Sequence, residues 1–122
     1  MSNGDLQSFH HYIDGRATPS LTGATFPTED PYSGQAWATI ARGGAEEVDL
    51  AVAAAKRAFE AGPWPALTPS RRGALLRKAA DLIQENAERL AEVERRDNGK
   101  LAAEVVAQVR YMAEYFLSLI HI

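Results

Sequence analysis

At 122 residues the chain can form one domain with a core but is too short for the two-domain layout of many cofactor enzymes, so one domain or a piece is expected. Its 13 basic and 16 acidic residues, net charge −3, are well mixed, which argues against a nucleic-acid-binding surface. With no cysteine the chain cannot hold disulfides, thiolate metal sites or a thiol nucleophile. No apolar run approaches the roughly 20 residues of a membrane span, and the polar start offers no signal-peptide core, so a soluble, cytoplasmic protein is expected.

In chain order, residues 1–8 are polar and read as a disordered, frayed start. Phe9 to Thr18 alternates Tyr and Ile with polar residues and predicts a short strand that bends or reverses at the turn signal Asp14-Gly15. A loop rich in Thr, Gly and Pro is predicted from Pro19 to Gly34. A second strand follows over Gln35 to Ala41, with Ala36, Ala38 and Ile40 opposite Trp37, Thr39 and Ala41. Two strands are marginal alone, so this hairpin (9–41) needs the helices or a partner beside it.

From Ala45 the period becomes helical, with Val48, Ala51, Val52, Ala55, Ala58 and Phe59 on one face and Glu46 and Glu47 at the positive end. Gly62-Pro63-Trp64-Pro65 breaks that helix. Thr68-Pro69 starts the next one, with a capping hydroxyl and a proline at the first helical position. Leu75, Leu76, Ala79, Leu82 and Ile83 form its stripe, and a kink is predicted at Asn86 before a continuation to Asp97. The last helix carries Ala102, Val105, Val106, Val109, Met112, Ala113 and Phe116 at helical spacing. The fold class predicted is mainly α with an N-terminal β-hairpin, helices filling 45–116.

The turn Asp97-Asn98-Gly99-Lys100 separates the last two helices. Asn98 and Gly99 tolerate the left-handed conformation of a helix C-cap, whereas Asp97 places a carboxylate at the negative end of the dipole and needs a cation. Arg95, Arg96 or Lys100 can supply it, and a bound ion is the alternative. His10, His11 and His121 lack metal-ligand spacing, and Trp37 and Trp64 read as packing aromatics.

These segments in order resemble the start of an aldehyde dehydrogenase. The resemblance rests on Tyr12-Ile13-Asp14-Gly15, Asp30-Pro31-Tyr32-Ser33-Gly34, the run Glu47 to Ala55, Ala58-Phe59 and Pro63-Trp64. It continues through Thr68-Pro69 with Arg72, Leu75-Leu76, Ala80 to Ile83, and Asp97 to Lys100 with Glu104. It covers roughly 9–116 and implies the amino-terminal fragment of an α/β enzyme that oxidises aldehydes to carboxylic acids with NAD or NADP. Relatives of this kind are commonly homodimers or homotetramers. In the family a cysteine attacks the aldehyde, hydride passes to the nicotinamide and a glutamate activates water. Those groups belong to later segments, so no catalytic or cofactor-binding residue is expected here and the chain alone should be inactive. Glu29, Glu46, Glu47, Glu85, Glu92 and Glu104 read as solvated charges.

The resemblance also implies a monovalent cation, Na+ or K+, beside Thr28 and Glu29 with the carboxylate of Asp97; such ions take carbonyl and carboxylate oxygens. The family's usual Asn before Pro31 is Asp30 here. Met112 stands where relatives line the mouth of the substrate tunnel, although its register with Val105, Val109 and Phe116 favours core packing. The end, Leu117 to Ile122, departs from the family pattern and is expected to be foreign to the fold, the product of a truncated or misassembled gene; a natural short protein is the alternative. In a chain this short the apolar stripes lack their neighbours, which predicts a partly molten or self-associating state. Besides the dehydrogenase fragment, a stand-alone helical interaction module is the second functional class expected.

Overall fold

In a computed structural model, which describes residues 6–121, the chain divides into two compact units, one up to Pro65 and one from Ala66. Strands occupy the first unit ahead of one helix, and the second is helical, in keeping with a mainly α chain that begins in β structure.

The strands of the first unit are β1 (Gln7–Phe9), β2 (His11–Ile13), β3 (Arg16–Thr18), β4 (Thr25–Asp30) and β5 (Gln35–Ala41). β2 and β3 form an antiparallel hairpin at Asp14-Gly15, whose φ values of 54° and 77° are the paired left-handed values of a tight hairpin turn. The predicted strand over Phe9 to Thr18 therefore reverses. A second sheet has the order β1-β5-β4, with β1 parallel and β4 antiparallel to β5.

Two expectations change here. β4 lies inside the stretch read as a loop; Thr-Phe-Pro-Thr-Glu-Asp shows little alternation, and Pro27 is tolerated because β4 is an edge strand. Gln7 and Ser8 belong to β1 and are no frayed end, while residues 1–5 of that expectation lie outside the described residues. The Ser8 and Thr39 hydroxyls meet at 3.1 Å and Phe9 stands edge-on to Trp37 at 5.8 Å, which ties so short a strand to β5.

β5 departs from strict alternation for an identifiable reason. Thr28 pairs with Ala38 but Glu29 pairs with Ala36, so Trp37 is the extra residue of a bulge. Consecutive residues Trp37 and Ala38 are consequently both buried, and with Ala41 and Ala54 they make the small core of this unit. Helix α1 (Ala45–Ala61) follows the sheet and ends at Gly62, whose N–H donates to the Ala58 carbonyl at 3.1 Å.

In the second unit α2 (Pro69–Glu85) starts as predicted: the Thr68 hydroxyl accepts from the Arg71 N–H at 3.4 Å and Pro69 is the first helical residue. Asn86 ends it, its backbone N–H and side-chain Nδ2 both donating to the Leu82 carbonyl at 3.2 and 2.8 Å. The predicted kink is thus a break between α2 and α3 (Ala87–Asn98). After the next turn α4 (Ala102–Ser118) packs on both. Ala87, Ala91, Val105 and Val109 form the core, with Ile83, Leu90 and Val106 against it. Small residues allow close helix approach, and the two valines each contribute roughly 1.5–3 kcal/mol of burial.

Of the tail expected to be foreign to the fold, residues 117–121 belong to this unit, and residue 122 lies outside the described residues. Leu117 and Ser118 continue α4, Leu119–His121 add a 3-10 turn, and Ile120 packs against α2 at Gly73, where an added Cβ would lie 3.1 Å from Ile120 Cγ2. A buried glycine at that point makes room for the tail.

Candidate functional site

The turn after α3 is built as its residue types dictate. Gly99 takes the left-handed conformation (φ 73°, ψ 13°), and its N–H donates to the Arg95 carbonyl at 2.9 Å. Asn98 Oδ1 accepts the Lys100 N–H at 3.0 Å, closing the turn. Lys100 Nζ pairs with Glu94 and donates to Gln108 Oε1 at 3.3 Å, fastening α3 to α4. Arg95 grips Glu92 through two bonds of 2.8 and 2.9 Å. Of the cations that spacing offers to Asp97, two therefore hold glutamates, Arg95 holding Glu92 and Lys100 holding Glu94.

Thr28 and Glu29 sit on β4 opposite the Trp37 bulge, where the ladder to β5 shifts register. Thr28 is half-buried and Glu29 exposed. Just beyond them Asp30 shapes the turn into β5: its Oδ1 accepts the Tyr32 N–H at 2.8 Å, and its carbonyl accepts from Gly34 at 2.8 Å. Asp97, exposed in the last turn of α3, belongs to the other unit. Among the described residues no group of three or more His, Asp or Glu side chains could hold a metal, so a cation here would rely on backbone carbonyls.

Met112 is 47% exposed, beside neither the buried Val105 and Val109 nor Ala113 in accessibility. The buried line of α4 runs 105, 109, 113, and Met112 sits one position off it with the exposed edge-to-face pair Tyr111 and Tyr115. The core reading of Met112 does not fit this placement. Trp64, expected to pack, is exposed in a 3-10 turn over Trp64–Ala66, whereas Trp37 is buried.

The polar group that sequence reasoning misjudged is Glu47. Expected to be solvated, it is 5% exposed. Its Oε1 accepts the Leu21 N–H at 2.8 Å and the Ser20 hydroxyl at 3.4 Å, and its Oε2 accepts the Gly44 N–H at 2.8 Å. Glu47 is the third residue of α1, so it closes the helix start while pinning the Ser20 to Gly23 turn to it. The Leu21 and Gly44 N–H bonds, followed by its own N–H, hold its carboxyl below the usual glutamate value; burial opposes this, and nearby His11 adds a smaller lowering. Glu29, Glu46, Glu85, Glu92 and Glu104 are exposed as expected. The one sequence signal for Glu47 was its place three residues after Gly44, a permitted helix N-cap.

Two shallow hollows lie between the β2–β3 hairpin and α1. One of about 330 Å³ is lined by Tyr12 to Gly15 with Ala51, Ala54, Ala55 and Ala58; one of about 280 Å³ is lined by His11 to Ile13, Gly43, Glu47, Val48 and Ala51.

The sequence model of the aldehyde dehydrogenase family matches residues 18–121. The chain is 50% identical over 90 residues to aldehyde dehydrogenase family 2 member C4 of Arabidopsis thaliana, covering 74% of this chain and 18% of that protein. It is 40% identical over 111 residues to (Z)-2-((N-methylformamido)methylene)-5-hydroxybutyrolactone dehydrogenase of Acinetobacter baylyi, covering 91% of this chain and 22% of that one. Among solved structures it is similar to an NAD-dependent aldehyde dehydrogenase from Sinorhizobium meliloti, with a TM-score of 0.90 and 30% identity over 99% of this chain and 25% of that chain. The chain thus spans about a fifth to a quarter of the length of these proteins.

Proposed function

The chain belongs to the aldehyde dehydrogenase family, and from that premise we propose that it is the amino-terminal portion of an NAD- or NADP-dependent enzyme oxidising an aldehyde to a carboxylic acid. The observation that carries this reading is the shared local fold, at a TM-score of 0.90, with one quarter of an NAD-dependent aldehyde dehydrogenase. Such a reaction needs a nucleophile that adds to the carbonyl, a hydride acceptor and a base for water. The chain has no cysteine, and its exposed glutamates sit on helix and strand surfaces. Its contribution is scaffolding, and alone it is inactive.

In the same reading the carbonyls of Thr28 and Glu29 contribute to a monovalent-cation site, and Met112, exposed beside Tyr111 and Tyr115, faces the aldehyde's path. The hard oxygen donors and the irregular ladder at Thr28 and Glu29 support the first role, and exposure supports the second. The experiment that tests the main reading is sequencing of the coding region across codon 122 together with the intact mass of the native protein. A frame that runs on to a cysteine-bearing segment is expected. A stop after Ile122 with a matching mass would overturn it.

A further inference from the structure

Asn98 and Gly99 form a dipeptide whose chemistry the turn after α3 both prepares and restrains. A side-chain amide followed by glycine is open to attack by the next backbone nitrogen, because no Cβ shields that nitrogen. Asn98 is exposed at the end of α3. Its Oδ1 accepts the Lys100 N–H at 3.0 Å, which keeps the carboxamide beside the Gly99 peptide and places a donor on the oxygen that gains charge during such an attack. Its Nδ2 donates to Glu94 Oε1 at 3.3 Å, the same oxygen that Lys100 Nζ holds. The restraint acts on the nucleophile: the Gly99 N–H is engaged by the Arg95 carbonyl at 2.9 Å. Asn86 lacks these features, since the residue after it is the buried Ala87 and its Nδ2 donates to the Leu82 carbonyl.

We propose that Asn98 is a site of spontaneous deamidation whose gate is the hydrogen bond from Gly99 to Arg95. When the last turn of α3 opens, base takes the Gly99 amide proton and the nitrogen adds to Asn98 Cγ. The Cγ–Nδ2 bond breaks, ammonia leaves with a proton from water, and a five-membered imide is closed. Water then opens the ring at either carbonyl, to aspartate or to isoaspartate. One water is consumed, one ammonia is released and nothing is oxidised or reduced. The product loosens the turn that restrained it. Aspartate at position 98 loses the donor to Glu94 and adds a carboxylate beside Asp97 at the negative end of the helix dipole. Isoaspartate routes the main chain through an extra methylene, which the left-handed Gly99 cap does not fit.

The test incubates the whole 122-residue chain in neutral buffer and in concentrated urea, then cleaves it after arginine. Asn98, Asn86 and Asn3, the last in a second Asn-Gly pair, fall in the separate peptides 97–110, 78–89 and 1–16, whose masses report replacement of the amide NH2 by OH. In urea Asn98 should convert as fast as Asn3, with isoaspartate among its products, while Asn86 stays intact. In buffer Asn98 should convert at least tenfold more slowly than in urea. Lys100→Ala removes the clasp to Glu94 and Gln108; with its helix signal at the parent value, it should speed conversion in buffer at least threefold and leave the urea rate unchanged. Equal rates in buffer and urea overturn the gate, as does a buffer rate that Lys100→Ala leaves unchanged or lowers. An Asn98 that stays intact in urea while Asn3 converts overturns the site itself.

Discussion

The unit up to Pro65 and the unit from Ala66 are held by different kinds of interaction. In the helical unit the fastening is apolar and periodic: Ala87, Ala91, Val105 and Val109 come from two helices joined by a short turn. In the strand-rich unit the most connected buried group is a carboxylate, Glu47, which reaches back 26 residues to the Leu21 N–H. A core of small apolar side chains tolerates acid but not a misplaced charge. A buried carboxylate clasp depends on its own ionisation.

The sharpest way to break this contrast is a charge in the helical core. Val109→Asp should cost about 3–5 kcal/mol, since it buries a carboxylate with no partner. Urea unfolding followed by helical circular dichroism would show it. Exchange protection of the β5 amides should survive; if it collapses equally, the two units are not separately held.

The next largest effect is expected at Glu47. Glu47→Ala should lower the melting temperature clearly more than Glu46→Ala, because the Leu21 and Gly44 N–H groups lose their acceptor. The pH sign follows from its depressed carboxyl: the stabilisation is complete above the ordinary value of 4.5 and is lost as pH falls through the lower folded value. A urea midpoint that drops in acid, with Glu47→Gln flattening the drop, is the expected result. An equal slope in Glu47→Gln would place the acid sensitivity elsewhere.

Gly99→Ala should cost about 1–2 kcal/mol, the penalty for an L side chain at φ 73°. The smallest effect is a coupling. Gly73→Ala gains about 0.5–1 kcal/mol of helix propensity but crowds Ile120, whereas in an Ile120→Ala background the gain should appear in full. Additive midpoints in that double-mutant cycle would show that Ile120 does not pack on α2.

What was legible in the sequence was local. Thr68-Pro69, Asn98-Gly99 and Asp14-Gly15 each carry their geometry within two residues, and all three appear where their chemistry demands. What escaped depends on distant chain. β4 is a strand because β5 pairs with it, Glu47 is buried because Ser20 and Leu21 fold over it, and Ile120 is accommodated because Gly73 leaves a gap. Met112 shows the limit of periodicity: one position decides between a core line and a surface, and a helical stripe several residues wide does not specify which. The candidate cation ligands were named by resemblance alone, for no pattern in Thr28-Glu29 or Asp97 distinguishes a carbonyl that ligates from one that does not.

The parallel pairing of β1 with β5 also sets a timetable. Ser8 meets Thr39, 31 positions later, so the first strand made during synthesis waits for the last strand of its sheet. At ribosomal rates of about 5–20 residues per second that wait is on the order of seconds. The β4–β5 hairpin, closed by its short turn at Asp30, can form in roughly microseconds once exposed. β1 is therefore added to a hairpin that already exists, and until then its three residues must avoid every other strand edge in the cell.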